Sequence, residues 1–452
     1  MKISSMSETN QLLDRLSDLV ARARRAGADA ADAIVVQSRG LEVAVRMGSR
    51  ETLERSDNID LGLRVFVGDR LASVASQDLS MQTLDELAKR AVAMAKAAPP
   101  DRESRLASVN ELAAEIPELD LLDNQEPSPE MLLEMAKDAE ASALEIKGVE
   151  NSEGGGASWG KAGIALATSN GFAGAYARSN TSLSVSVIAK QNGSMERDYD
   201  WTAATHLSDL RSPEEIGRSA GERAVRRLGA RRVKSQMVPV IFEQRIAGGL
   251  VSSFAAAING ASIARGVSYL KDSLNKPVFA DGVTIIDDPL LPRGKASKPF
   301  DGEGLAANCV PLVSDGVLQT WTLDLRSAGK LGLLSNGRAA RGVGSNPSPS
   351  VTNLDLQPGR LTLEQLIGEV ESGLYVTELI GHGGDLATGD YSRGASGYWI
   401  ENGEIAYPVN ELTIAGNLKD MFRSITPASD LIRRGSINAP TLRVDGLTVA
   451  GK

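Results

Sequence analysis

An Asn-Gly pair, Asn402-Gly403, set between Gly397-Tyr398-Trp399-Ile400 and Ile405-Ala406-Tyr407, constrains this chain most tightly. A two-residue hairpin loop needs positive φ at both central positions, which Asn and Gly accept at little cost and most side chains do not. The spacing therefore predicts a tight β-hairpin. Just before it runs a glycine-dense stretch, residues 381–394, with the fixed-order polar run Gly389, Asp390, Tyr391, Ser392, Arg393, Gly394. Packing alone does not require such density, because each glycine gives up side-chain contacts. This region is expected to be a strand-rich scaffold whose backbone comes close to something else.

Upstream, the hydrophobic period divides the chain. Leu12, Leu16, Leu19 (or Val20) and Ala23 recur at helical spacing and stop near Gly27. Residues 32–75 read as strands, with Leu61, Leu63, Val65 and Val67 alternating with Gly62, Arg64 and Phe66 before a Gly68-Asp69 turn. Thr83 and Glu86 predict a capping box for a helix that Pro99-Pro100 ends, and Ser128-Pro129 opens another helix that stops near Gly148. From 150 to 206 the period becomes two, with Asn170-Gly171 and Asn192-Gly193 as turns. Ser212-Pro213-Glu214-Glu215 caps a helix to about Leu228. The basic run at residues 223–234 reads as helix-terminal cations leading into a solvated linker rather than as a nucleic-acid patch. A strand (238–242) and a helix (244–259) follow, then mostly strands and loops. The expected fold is α+β: residues 1–235 an N-terminal α/β domain with a mixed sheet and helices, residues 236–452 a C-terminal β-rich domain with a central helix.

Composition removes several function classes. No apolar run approaches the ~20 residues of a membrane span, and the first residues have no signal-peptide core. One cysteine, Cys309, rules out an internal disulfide or a cysteine metal cluster. The net charge of −9 argues against non-specific nucleic-acid binding. A cytoplasmic protein with neither membrane nor nucleic-acid partners is the expectation.

Residues 376–422 resemble the C-terminal domain of the TldD/PmbA family, specifically its PmbA (TldE) branch. Further segments fit in order: Leu63-Arg64-Val65-Phe66-Val67-Gly68-Asp69-Arg70 with Ala72-Ser73, Ile263-Ala264-Arg265-Gly266 through Lys271-Asp272, Pro299-Phe300-Asp301-Gly302-Glu303-Gly304, Asp315-Gly316-Val317-Leu318, and Leu323-Asp324 followed by Ala328 and Leu331-Gly332. The family contains two kinds of subunit. One carries the zinc-peptidase signature H-E-x-x-x-H on a central helix plus a downstream cysteine. The other shares the fold without those ligands and pairs with the first.

The residues decide which kind this chain resembles. A zinc-peptidase site needs imidazole or carboxylate ligands, an open position for water and a carboxylate base. Here the positions of the family motif read Ser252 and Ser253, with Ala257 as the second ligand position, and no cysteine follows Ser424. The two histidines, His206 and His382, lie far apart. A substitute site from them with Cys309 lacks the close spacing of braced catalytic ligands. Ile246, Leu250, Phe254 and Ile258 mark the same helix as a core element. Gly155-x4-Gly160-Lys161 lacks a phosphate loop's Ser/Thr and leads into a strand. The paired acids Asp287-Asp288 and Asp301-Gly302-Glu303 fit a cation or a peptide amine, or solvated turn caps. Asp390 with Arg393 fits an internal ion pair or a groove and interface role.

The resemblance therefore implies no catalytic residue and no metal in this chain, with zinc expected in a TldD-type partner subunit. It implies a heterodimeric metallopeptidase acting on unfolded peptides or peptide precursors. This chain would close the chamber and hold the peptide, with strand edges of the C-terminal domain as backbone partners. Gly389, Asp390, Tyr391, Ser392, Arg393, Gly394, Asp301 and Glu303 are the candidate groove or interface residues. The alternatives are a stand-alone homodimeric peptide-binding or regulatory protein, tied to the family's association with DNA gyrase and antitoxins, and an autonomous hydrolase using His206 or His382.

Overall fold

The structure, a computed structural model, describes residues 6–381 and 383–451. Among these, the first six strands form one sheet in the order β3-β2-β1-β4-β5-β6: β1 Ala30–Arg46, β2 Ser49–Val67, β3 Arg70–Ser76, β4 Val149–Thr168, β5 Ala173–Gln191 and β6 Ser194–Ala204. Every pairing in it is antiparallel, so the mixed sheet expected here is corrected. The reason is local: the tight turns at Gly48, Gly68 and Asn192-Gly193, all at positive φ, join sequential strands directly, and a parallel pair would need a long crossover.

Helices Met6–Arg25, Met81–Ala97, Pro129–Leu144 and Pro213–Arg226 pack on one face of this sheet. Leu16, Leu19 and Ala23 meet Ala31, Ala33 and Val35 of β1, and Leu132, Ala136 and Ile216 meet Leu41, Val43 and Val45 further along the same face. Ser128 caps the third helix, and Ser212 with Glu215 forms a full capping box on the fourth. The second helix is capped by Ser80, whose hydroxyl accepts from the Thr83 amide. The Thr83/Glu86 box is thus displaced, because the aspartate-braced Ser80 reaches the first free N–H groups.

Alternation along β2 predicts burial of one face, yet Leu61 to Phe66 are all buried. The second face is covered by the C-terminal half of the chain. A Cβ on Gly62 would sit 1.9 Å from the Val343 carbonyl oxygen, so only glycine fits this crossing. Arg64, Asp32 and Arg341 are buried together beside it.

In the C-terminal half, strands Glu404–Asn417, Asp390–Glu401, Ser372–Ile380, Gln236–Phe242 and Leu442–Ala450 follow one another in a sheet. Thr413, Ile414 and Ala415 then pair with Ala450, Val449 and Thr448, closing it into a barrel. Asn402 (φ 52°) and Gly403 (φ 78°) form the predicted hairpin turn. The central helix, Gln244–Ala257, buries Leu250, Val251, Phe254 and Ala257 against barrel residues such as Val240 and Val376. The same core takes in Ile285, Val313 and Leu354 of a second, smaller sheet. The overall class is mixed α+β.

Residues 223–234 are not a solvated linker. Arg227 bonds Glu378 at 2.6 Å and approaches Asp198 and Glu196. Arg223 bonds Glu243, Arg232 pairs with Glu411, and Arg231 stacks on Tyr407. The cations stitch the two halves together. At the centre, Arg245 from the first turn of the central helix bonds Asp198 of β6 at 2.8 Å, both almost completely buried. Removing one partner of a buried pair leaves the other charge uncompensated, typically at about 3–5 kcal/mol. Arg245→Ala is therefore expected to lower unfolding free energy by about that amount; an unchanged urea midpoint would show that the junction is not a stability determinant.

Candidate functional site

The central helix has one solvent-facing stripe: Gly249, Ser252 and Ala256 are exposed and Ser253 is half-buried between them. The spacing i, i+3, i+4, i+7 is one helical face, and every residue on it is small. Ser252 donates to the Gly248 carbonyl (3.0 Å) and Ser253 to the Gly249 carbonyl (3.1 Å), so both hydroxyls turn back on the helix. Ala257, one turn after Ser253, is turned into the core and fully buried.

The polar run lies beside this stripe. A Cβ built on Gly249 would be 3.9 Å from Arg393 Nη1, and one on Gly383 would meet Tyr391, Arg393 Cδ and Ser253 Oγ at 3.4, 3.6 and 3.9 Å. The helix stripe and the run at 389–394, far apart in sequence, lie side by side on the surface. On the other flank, Gly248 packs so near the Ile437 carbonyl that a Cβ would approach it to 2.9 Å. Tyr391 is buried, and burial pushes its phenol up to about 12. Arg393 Nη2 donates to the Leu379 carbonyl, while its buried Nε has no hydrogen-bond partner.

Asp390 and Ser392 point to solvent on the other face of the strand. Asp390 accepts from Asn417 (3.0 Å) and the Thr388 hydroxyl (2.8 Å). The proposed Asp390–Arg393 ion pair is corrected: side chains three positions apart on a strand face opposite sides. Gly389 is buried at φ 85°, with Asn417 packed against it, and Gly394 pairs with Ile380 and Thr413. These two glycines shape the strand and add no polar group beside the stripe.

Asp301 and Glu303 are elsewhere. Both are buried at the junction of the two halves. Asp301 accepts the amides of Glu303, Leu305 and Ala339, fixing the Gly302-Glu303-Gly304 turn. Glu303 accepts the Leu325 amide at 2.8 Å. Burial, reinforced by Asp301 nearby, pushes its carboxyl up to about 8. Asp287, read as a possible cation ligand, is also buried; Arg338 and Thr352 satisfy it. Asp288 caps its own turn at Leu290.

The residues along the stripe do not fit a zinc ion. The serine hydroxyls are committed to helix carbonyls, the remaining side chains are Gly and Ala, and a guanidinium stands over the stripe and would repel a cation. Among the described residues, no group of three or more His, Cys, Asp or Glu is placed to hold a metal. His206 is buried with Nε2 3.3 Å from Asp120. Cys309 is exposed, and desolvation with Asp288 nearby holds its thiol in the protonated form. His382 lies outside the described residues.

Three family profiles match nearly the whole length: PmbA/TldA metallopeptidase domain 1 over residues 31–95, the central domain over 122–228 and the C-terminal domain over 235–451. The chain belongs to the PmbA/TldD metallopeptidase family. Metalloprotease PmbA of Escherichia coli is 37% identical over 100% of this chain and 98% of its own. The PmbA homologue of Haemophilus influenzae is 35% identical over 98% and 97%. These relatives put it in the PmbA branch. A solved Bacteroides thetaiotaomicron protein described as a candidate modulator of DNA gyrase superposes with a TM-score of 0.89, at 26% identity over 97% of this chain and 98% of that one. TldE from Thermococcus kodakarensis gives 0.86 over 97% and 100%, at 20% identity, a likeness of fold. Among the described residues, no helix is long and apolar enough to cross a membrane.

The small-residue stripe was legible in the sequence as Gly249, Ser252, Ser253 and Ala256 at helical spacing; its contact with Arg393 was not. The Glu303 environment yields a pH test. Its carboxyl titrates near 4.5 when unfolded and near 8 when folded, so between those values the folded chain holds more protons. The stability contributed by this one group is fully present below about 4.5 and is lost as pH rises through about 8. Glu303→Gln keeps the acceptor for Leu325 and is expected to flatten that decline in pH-dependent urea unfolding; an unchanged profile would place the titration elsewhere.

Proposed function

We propose that this chain is the zinc-free, PmbA/TldE-type subunit of a two-subunit peptidase. A TldD-type partner supplies the metal ligands and the general base, and this chain completes the chamber and helps hold an extended peptide. The observation that carries this reading is the helix stripe. At the family's metal-bearing position the scaffold is kept, with Leu250 and Phe254 in the core, while the exposed face holds only Gly, Ser and Ala beside Arg393. Small residues let another backbone approach closely, and the guanidinium offers donors to its carbonyls.

Strand addition to the C-terminal domain is less suited to peptide holding than the sequence implied, because closure of the barrel uses its edges. An open edge lies on β2, where β3 pairs only with residues 61–67. That edge carries Arg50, Glu51, Glu54, Arg55 and Asp57, charges of the kind that keep exposed edges from pairing indiscriminately. The exposed stripe on the central helix is the better candidate for contact with a peptide or with the partner subunit.

Co-expression with a TldD-type subunit tests the assignment. Zinc and peptide cleavage are expected in the co-purified complex and absent from this chain alone; zinc-dependent cleavage by the lone chain would overturn it. Ser252→Trp adds bulk to the stripe at an exposed position, where substitutions usually change stability by less than about 0.5 kcal/mol. It is expected to abolish complex formation or complex-dependent cleavage while leaving the circular dichroism spectrum unchanged. Full activity of the Ser252→Trp complex would remove the stripe from the reading.

A further inference from the structure

Away from the stripe, a cleft of about 600 Å³ opens between helix Pro213–Arg226 and the barrel, at the N-terminal end of the central helix. The helix presents Arg218, Glu222 and Arg226 to it at intervals of four, along one face. Most charges around the cleft are already satisfied. Arg223 bonds Glu243 at 2.5 Å, Arg211 and Arg434 share Asp200, Glu215 closes the capping box of Ser212, and Asp430 accepts from Thr441. Among the described residues Arg218, Glu222 and Arg226 make no direct ion pair, and Arg218 acts on Glu214 only at longer range. The Arg226 guanidinium is held in place 5.6 Å from the Tyr398 ring centroid.

The floor of the cleft is unusual. Thr377 lies where the register of the barrel strand shifts between Val376 and Glu378, a bulge that re-aims a side chain. Its residue is 3% exposed, lines the cleft, and its hydroxyl has no hydrogen-bond partner. Glu243 Oε2, also buried, lacks one too, with Arg245 Nε 3.7 Å away. An unpartnered buried polar atom is costly, so a ligand supplying the missing partners gains by binding here. At the mouth, Ile405 and Ile432 are exposed apolar side chains.

We propose that this cleft binds the C-terminal end of a short peptide. The guanidiniums of Arg218 and Arg226 meet the terminal carboxylate, the carboxylates of Glu222 and Glu243 accept amide N–H groups, Thr377 bonds a main-chain atom, and the isoleucines cover an apolar side chain. An inorganic anion would be opposed by Glu222 and Glu243, and a cation by the two arginines. In naming a peptide the proposal rests on the peptide-handling role above. Its test uses this chain alone, without a zinc-bearing partner, so the two readings fail separately.

The probes are N-acetylated tripeptides ending in Leu, Ile or Phe, each as free acid and as C-terminal amide, titrated calorimetrically into the full chain. Saturable one-to-one binding of the acids is expected, with the amides at least about tenfold weaker. Arg226→Ala and Arg218→Ala should each remove most of that preference, and the near-isosteric Thr377→Val should weaken acid and amide alike. Equal binding of acid and amide, no saturable binding by any probe, or an undiminished acid preference in both arginine variants would overturn the proposal.

Discussion

The carboxylate of Asp198 holds the architecture together. It sits on the edge strand of the N-terminal sheet, 2% exposed, and receives Arg245 from the first turn of the central helix and Arg227 from the end of the preceding helix. A charge this deeply buried is tolerated only when paired and hydrogen-bonded. Arg245 also donates to the carbonyls of Tyr199 and Thr377, so one guanidinium joins β6, the central helix and the barrel. The orientation of the central helix follows from this junction, and with it the direction in which its small-residue face looks.

A second junction, on interior strands of the sheet, works by the same physics. Asp32 on β1 lies between Arg64 on β2 and Arg341 from the C-terminal half, at 2.5 and 2.7 Å. Gly62 next to Arg64 lets the Val343 backbone lie against the strand. Glu303, beside the same cluster, is held protonated near neutral pH by burial and by neighbouring acids, which avoids a further buried negative charge. Two sites of charge burial, three strands apart in the sheet, tie it to the C-terminal half of the chain.

Family membership and chemistry separate along the central helix. The apolar side of that helix, Leu250, Phe254 and Ala257, joins the largest core cluster, with Phe254 edge-on to Phe279 and Phe422. Those contacts keep the fold of a metallopeptidase. The exposed side carries Gly249, Ser252 and Ala256 with Ser253 half-buried, and a shared fold does not by itself fix the chemistry of that face.

Local elements were readable from the residues because their causes are local. The Asn402-Gly403 turn, the Ser128 and Ser212 caps and the apolar stripes of the helices depend on neighbours within a few positions, where turn geometry, capping bonds and hydrophobic period act. The residue types at the family's motif positions, Ser252, Ser253 and Ala257, were readable for the same reason, since each is a residue at a position. Tertiary structure decided the rest. Whether residues 223–234 form a linker or a stitch depends on acids at 196, 198, 243 and 378 that the sequence does not place beside them. Asp301 and Glu303 became buried junction residues because the first half of the chain packs over their turn, and Arg393 reached the helix stripe through the barrel's register. Charge pairing and burial across hundreds of positions are set by which surfaces meet, and no periodicity in the chain records that.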